Sequence, residues 1–331
     1  MLLTGKEKIL CRLRGEKGYV SGKDLGTELG VSRTAVWKAV ASLRAEGYQI
    51  ESSTNRGYRL VSSPDLFTPE EISAGLGTKF LGRHMFCYRS IDSTNEEAKR
   101  MALQGAPDGS LFVAEQQTGG RGRLGRKWDS PPGKGLWFTV LLRSGSIPLS
   151  PSMITLLAGL SVLKASRSLS GVRTLIKWPN DIIIGSRKVC GILAEMSAEI
   201  DRVEFMVVGI GVNVNNASFP PDLEKKATSF LMETGKPIRR VSLLQETLRE
   251  LETLLRENAS GLTPAFLKEY RGCCVTLGRK VCFLRGGKRI SGLAKDVTPQ
   301  GELLVRLPDG RMETVFSGEV SVQGIYGEKI E

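Results

Sequence analysis

Residues 119–128 read GGRGRLGRKW, four glycines interleaved with the cations Arg121, Arg123, Arg126 and Lys127. From Gly120 the stretch satisfies G-x-G-x-x-G, the pattern with which a dinucleotide-binding βαβ unit cradles pyrophosphate. That reading needs a strand before the glycines and a helix starting within them. SLFVAEQ (110–116) supplies the strand, but the exit, RKWDSPPGKG, holds two prolines, two glycines and a serine and forbids a helix. A phosphate-binding P-loop fails as well, because Gly120-x4-Gly125 is followed by Arg126-Lys127 and not by Lys-Ser/Thr. What remains is a strand–loop–strand element whose bare N–H groups and guanidinium forks suit phosphate or carboxylate oxygens. A solvated nucleic-acid-binding loop is the alternative. The loop carries too much positive charge to order itself, so it is expected to order around an anionic ligand, with Trp128 placed to cover an aromatic ring.

The flanking sequence alternates two periods. Strands are expected at HMFCYRSI (84–91), SLFVAEQ, LWFTVLLR (136–143), TLIKW (174–178), DIIIGS (181–186), KVCGILAEMS (188–197) and EFMVVGIGVNV (204–214). Helices are expected at 94–105, 150–169, 241–258 and 263–270. Several strands follow one another through short turns such as Gly185-Ser186, which predicts a mixed or antiparallel sheet with helices on one side, within an α+β multidomain chain. Three short segments invite functional reading. Ser93-Thr94-Asn95 sits between a strand and a helix, where simple capping is the bland role. Lys177-Trp178-Pro179-Asn180-Asp181 is a turn with an ion pair, or a charged site. Lys188 is either an exposed edge residue or a half-buried cation that needs an anion.

At the front, Ile9, Leu10 and Leu13 recur at helical spacing. SGKDLGTELGVSRTAVWKAVASLRAEGY (21–48) then reads as two helices joined by a tight turn. Gly30 ends the first, Ser32 caps the second, and Val36, Ala39, Val40 and Leu43 face inward. Arg33, Thr34, Trp37 and Lys38 are left on the outer face of the second helix near its start. This is helix-turn-helix grammar, in which that end of the helix enters the major groove. Arg33 and Lys38 suit guanine edges or phosphate, and Ser32 and Thr34 suit phosphate or bases. YQIES and GYRLV then form a hairpin wing whose Arg56 reaches a phosphate or the minor groove. A protein-interaction module with a solvated basic face is the alternative. VSSPDLFTPEEI (61–72) follows as a linker.

The 331 residues carry a net charge of +12, of which the first 63 hold +5, which makes them the most basic stretch per residue. The longest apolar runs are broken well short of a membrane span, and no secretory signal opens the chain. The six cysteines are scattered with no C-x-x-C pair and there is one histidine, so reduced thiols in a cytoplasmic protein without a bound metal are expected.

Four segments occur in order: IDSTN (91–95), EQQTGGRGRLGRKW (115–128), KWPNDIIIGSRKVCGILAE (177–195) and GIGVNVN (209–215). Together they resemble the biotin–protein ligase family and, with the N-terminal module, its members that double as biotin-operon repressors. The resemblance implies a winged helix-turn-helix domain over 1–63, a mixed-sheet catalytic domain of the biotin/lipoate ligase type over 64–271 and an SH3-like small β-barrel over 272–331. It implies activation of biotin by ATP, with Mg2+ in the substrate complex, to biotinyl-5′-AMP. Transfer to a lysine of biotin carboxyl carrier protein, a subunit of acetyl-CoA carboxylase, would follow. Ser93, Thr94, Asn95, Gln117 and Gly191 would surround the biotin ring system, and Gly120, Arg121, Gly122 and Arg123 would wrap carboxylate and phosphate. Arg126, Trp128, Asn180 and Asn213 would complete the adenylate site. Lys177 and Lys188 would stabilise the reacting charges, and Asp181 would orient or deprotonate the incoming lysine. The implied partners are operator DNA of biotin genes and a second copy of the chain when biotinyl-5′-AMP is bound. Leu124 departs from members that carry a further arginine there. A ligand-sensing repressor without ligase activity, and a lipoate or other acyl-adenylating ligase, are the alternatives.

Overall fold

Helices of eight to thirteen residues are marginal alone in water and need a shared core. The first three here have one. α1 (Gly5–Arg14), α2 (Gly22–Leu29) and α3 (Arg33–Ala45) bury Ile9, Leu10, Leu13, Leu25, Val36, Val40 and Leu43 against one another. Ser21 caps α2, accepting from the Asp24 N–H at 3.0 Å, and Gly30 ends it in the left-handed region. Ser32 caps α3, accepting from the Ala35 N–H at 3.2 Å. β1 (Gln49–Ser53) and β2 (Gly57–Ser62) pair antiparallel as the wing. A Cβ on Gly57 would lie 2.1 Å from the Val20 carbonyl oxygen, and that close approach lets Val20 and Tyr58 exchange two backbone hydrogen bonds.

The computed structural model describes residues 5–143, 150–199, 202–316 and 320–330. It divides the chain into two units, Met1–Ala74 and Gly75–Glu331. The linker expected to open the catalytic domain at residue 64 therefore belongs to the first unit. The reason is Glu71 in α4 (Pro69–Ser73), a buried carboxylate that accepts from the Tyr48 hydroxyl at 2.5 Å and from the Arg14 guanidinium. A buried charge keeps its partners, so α4 stays with them.

In the second unit the order is β3 (Met85–Tyr88), α5 (Thr94–Leu103), β4 (Leu111–Ala114), β5 (Gly135–Arg143), α6 (Pro151–Ser170), β6 (Leu175–Lys177), β7 (Asp181–Ile184), β8 (Arg187–Glu199), β9 (Arg202–Asn213), α7 (Phe230–Thr234), α8 (Arg240–Glu257) and α9 (Pro264–Cys273). Among the described residues these strands form one mixed sheet, ordered β3-β4-β5-β9-β8-β7-β6, antiparallel throughout except for the β3–β4 pair. The helices do not lie on one side, as the succession of strands suggests. α6 packs with α8 on one face, where Gly159 meets Ile182 and Ile192. α5 covers the other face, with Ala98 and Ala102 against Phe112, Leu141, Phe205 and Val207. The run of β5, buried from Gly135 to Leu142 and apolar but for Thr139, is the sign of a strand covered on both faces.

After α9 come β10 (Lys280–Arg285), β11 (Lys288–Val297), β12 (Leu303–Arg306), β13 (Met312–Val315) and β14 (Val320–Val322). The described residues place them in an antiparallel sheet ordered β13-β12-β11-β10-β14, where the resemblance implies a small barrel. Residues 317–319, within the stretch for which that barrel is implied, lie outside the described residues. This sheet belongs to the same unit as the mixed sheet, and the boundary expected after residue 271 falls inside α9. Trp178 joins the two: its indole N–H donates to the Gly301 carbonyl and its backbone N–H to the Thr276 hydroxyl, each at 3.0 Å. All six cysteines are free, and no helix among the described residues is long and apolar enough to cross a membrane.

Candidate active site

A pocket opens at the N-terminus of α5, on the sheet face that this helix covers. Ser93 caps the helix and Asp92 accepts from the Ser93 N–H at 2.7 Å. Arg100 holds the Asp92 carboxyl down to about 2. Gln117 receives both the Thr94 N–H (2.9 Å) and the Thr94 hydroxyl (3.1 Å) on its side-chain oxygen, and donates to the Ser130 hydroxyl at 3.0 Å. Asn95 donates to Glu195 at 2.7 Å and to the Leu193 carbonyl at 3.2 Å, while its own oxygen lies 2.7 Å from the Thr139 hydroxyl. Ser93, Thr94, Asn95 and Gln117 thus form one neutral, hydrogen-bonded end of the pocket. Two sheet positions make room for it. A Cβ on Gly209 would lie 2.1 Å from the Asn95 side-chain oxygen, and one on Gly211 would lie 2.7 Å from the Trp128 indole nitrogen. Strand residues two apart share a face, so GIG presents both openings together. Periodicity places GIGVNVN in a strand but does not single out Gly209 and Gly211, or Ile192, Leu193 and Ile210, as pocket lining.

The GGRGRLGRKW loop is closed on itself. Arg121 forms a β-bridge with Lys127, the Gly122 N–H donates to the Arg126 carbonyl at 2.7 Å, and the Trp128 N–H donates to the Gly120 carbonyl at 2.9 Å. The turn places Leu124 (φ 56°) and Gly125 (φ 71°) in the left-handed region, as the two-residue turn of a β-hairpin requires. Backbone pairing closes the loop into a hairpin, a closure that its composition does not announce. Gly120 does not line the pocket. Its Cβ would meet the Trp128 carbonyl at 2.6 Å, so it serves the hairpin's closure. Arg121, Gly122 and Arg123 line the pocket; Arg126 is exposed and does not. Arg123 donates to the Asn180 side-chain oxygen at 3.0 Å, and Asn180 in turn donates to the Ile192 carbonyl at 3.1 Å. Trp128 lies over the glycines of β8 and β9, edge-on to Trp137 at 6.4 Å, with the Lys188 ammonium 5.1 Å from its ring.

Lys188 reaches this face because of a bulge. β7 and β8 pair Ile182 with Cys190 but Ile183 with Lys188, which leaves Val189 as the extra residue. Without it Lys188 would point to the α6 side with Ile192. With it, the ammonium stands 2.5 Å from Asp181 and beside Gly191. Burial alone raises the Asp181 pKa, but Lys188, Lys177 and the Tyr326 hydroxyl outweigh it and hold the carboxyl below its ordinary value. Lys188, Gly191 and Asn180 line the pocket, and Asp181 sits directly behind Lys188. Lys177 and Asn213 are not brought to it. Lys177 is buried and donates to the Val320 carbonyl of β14 at 2.9 Å, and Asn213 donates to the Thr228 carbonyl at 3.2 Å. The pocket therefore runs from a neutral polar end to a cationic end. It is suited to a ligand with a hydrogen-bonding head and an anionic tail.

In the first unit, Ser32, Arg33, Thr34, Trp37 and Lys38 are all exposed along the start of α3, with Trp37 at 59%. The Ser32 hydroxyl is already engaged as the cap. Arg56 is exposed on the wing, over the Tyr19 ring at 4.6 Å.

Three family models match the chain. They are the biotin/lipoate A/B protein ligase family over residues 87–213, an HTH domain over 6–59, and the biotin protein ligase C terminal domain over 276–323. The bifunctional ligase/repressor BirA of Bacillus subtilis is 37% identical over 95% of this chain and 98% of that protein. The biotin–[acetyl-CoA-carboxylase] ligase of Mycobacterium tuberculosis is 35% identical over 75% of this chain and 91% of that protein. Among solved structures, biotin protein ligase from Aquifex aeolicus in complex with biotin and ATP superposes with a TM-score of 0.65 at 31% identity, covering 73% of this chain and 99% of that one.

Proposed function

The chain belongs to the biotin–protein ligase family, and from that membership we propose how its pocket works as a biotin-activating enzyme attached to a DNA-binding module. The carboxylate of biotin attacks the α-phosphate of ATP, which enters with Mg2+, and pyrophosphate leaves. A lysine amine of biotin carboxyl carrier protein, a subunit of acetyl-CoA carboxylase, then attacks the biotinyl-5′-AMP anhydride, and AMP leaves. The observation that carries the assignment is the pocket's polarity: a neutral end at Ser93, Thr94, Asn95 and Gln117 for the ureido group, and a cationic end at Arg121, Arg123 and Lys188 for carboxylate and phosphate.

The chemistry brings a carboxylate and a polyphosphate together, so the dominant barrier is charge repulsion. Cations held in place before the reaction lower it most. Arg123 is held by Asn180, and Lys188 by Asp181. Trp128, lying over Gly191 and Gly211, shields the anhydride from water. Asp181 orients Lys188 and not the incoming amine, because its two oxygens face Lys188 and Tyr326; a carboxyl held below its ordinary pKa is also a poor proton acceptor. Biotin-dependent ATP–pyrophosphate exchange tests the reading. Exchange with biotin and none with lipoate is expected, and no exchange from the folded protein would sink it.

The helix-turn-helix unit serves as a repressor of biotin genes in the cytoplasm, with biotinyl-5′-AMP as corepressor favouring a homodimer on two half-sites. Arg33→Ala and Lys38→Ala are each expected to weaken binding to the biotin-gene operator. Where the replaced side chain neutralised a phosphate, the slope of log affinity against log salt should become shallower by about 0.9. Unchanged affinity and slope in both variants would remove these two residues from the interface.

A further inference from the structure

We propose that Tyr326 is a positioning residue for the adenylating centre, its hydroxyl fixing Asp181 and thereby the Lys188 ammonium. The tyrosine belongs to the turn after β14, outside the motifs that carry the family resemblance. Its hydroxyl donates to Asp181 Oδ2 at 2.8 Å, while Lys188 Nζ stands 2.5 Å from Oδ1. The two oxygens of one buried carboxylate are thus divided between a cation in the pocket and a phenol of the C-terminal turn. The Tyr326 N–H also donates to the Ser186 carbonyl, in the β7–β8 turn, at 3.1 Å. One residue therefore holds both ends of the bulged hairpin that presents Lys188.

The backbone shows what this placement demands. Tyr326 has φ 58°, a left-handed conformation that a bulky side chain adopts only when its surroundings over-determine it. Here they do. Ile325 beside it is buried at 1% exposure, and the Lys177 ammonium lies 5.1 Å from the Tyr326 ring. Lys177 itself is anchored on the Val320 carbonyl. The cation expected at the reacting centre instead supports the tyrosine from behind.

Removing the hydroxyl leaves a buried carboxylate oxygen without its donor. The charged form then loses a stabilising hydrogen bond, so the Asp181 pKa rises. The titratable groups facing Asp181 are Lys177 from β6, Lys188 from β8 and Tyr326, with Glu328 beyond it, from the C-terminal turn, while Cys190 stands on the opposite face of β8. Burial keeps the Cys190 thiol neutral, so Tyr326 and the two lysines set the carboxylate's charge.

The test is Tyr326→Phe in the full chain, which keeps the ring beside Lys177 and removes only the hydroxyl. In biotin-dependent pyrophosphate exchange, kcat is expected to fall roughly ten- to hundredfold, the scale of a lost hydrogen bond to a charged group. The KM for biotin should stay near native, and the acid limb of the kcat profile should move to higher pH. In an Asp181→Asn background the same change should have little further effect, because the tyrosine acts through that carboxylate. Native kcat with an unmoved acid limb, or full additivity with Asp181→Asn, would overturn the proposal, as would a loss confined to thermal stability. It rests on the adenylating reading of the pocket. A native chain without exchange overturns both, and a native-like Tyr326→Phe overturns this one alone.

Discussion

Lys188→Ala is expected to lower kcat for biotin-dependent pyrophosphate exchange about 10²- to 10³-fold, the range for removing one preorganised charge-stabilising donor. The ammonium lines the pocket, 2.5 Å from Asp181 and 5.1 Å from the Trp128 ring, while Arg123 is tied to Asn180. Lys177 is anchored on the Val320 carbonyl. The substitution also changes how stability depends on pH. In the native chain Asp181 is held below its ordinary pKa, so its ionised form contributes stability that is present above the unfolded value and lost as pH falls through the folded one. Without Lys188 burial raises that pKa. If burial then carries it above the unfolded value, the contribution reverses: present at low pH and lost as pH rises through the folded value. The stability gap between native and variant should therefore widen from the acidic range to neutrality. Asp181→Asn added to Lys188→Ala should close that gap without restoring exchange, which separates the catalytic loss from the cost of an orphaned buried charge. Near-native kcat/KM in the single variant would remove Lys188 from the centre.

Gly209→Ala is expected to weaken biotin binding about a hundredfold, or roughly 2.7 kcal/mol, measured by titration calorimetry. The added methyl would lie 2.1 Å from the Asn95 side-chain oxygen and 2.8 Å from its Cγ. Asn95 has to leave, and with it go its bonds to Thr139, Glu195 and the Leu193 carbonyl, which together shape the neutral end of the pocket. Gly272→Ala is the control. It lies in α9, where a methyl added at its Cα would meet nothing within 4 Å, so binding should be untouched and stability unchanged or raised by about 0.5–1 kcal/mol. A Gly209→Ala variant that binds biotin normally would show that Asn95 does not form part of the ligand's contact surface.

The N-terminal unit can be read almost directly from the chain, because its information is local. Ile9, Leu10 and Leu13, then Val36, Val40 and Leu43, recur at helical spacing, and Ser32 and Gly30 mark ends that the structure places as cap and stop. The residues at the start of α5 are also visible, since capping a helix after a strand is a short-range event. The loop is half legible. Pro131 and Pro132 exclude a helix and with it the nucleotide fingerprint. Its closure as a hairpin, through a left-handed Leu124, is not legible, because nothing in a leucine favours that conformation.

Composition and periodicity by themselves determined the helix-turn-helix, the succession of strands through short turns and the cationic character of the loop, because each depends on side chains within a few positions of one another. The tertiary structure decided which of the charged residues meet. Strand parity sends Lys188 away from the pocket, and the Val189 bulge, defined only by pairing with β7, turns it back. Lys177 stands directly opposite Asp181 across the β6–β7 pair, yet its ammonium donates to the Val320 carbonyl of β14, a partner that nothing near it in sequence announces. Gly209 and Gly211 look like any strand glycines until Asn95 and Trp128 are seen where their side chains would be. In each case the deciding contact comes from a distant part of the chain, and local sequence carries no record of what will approach.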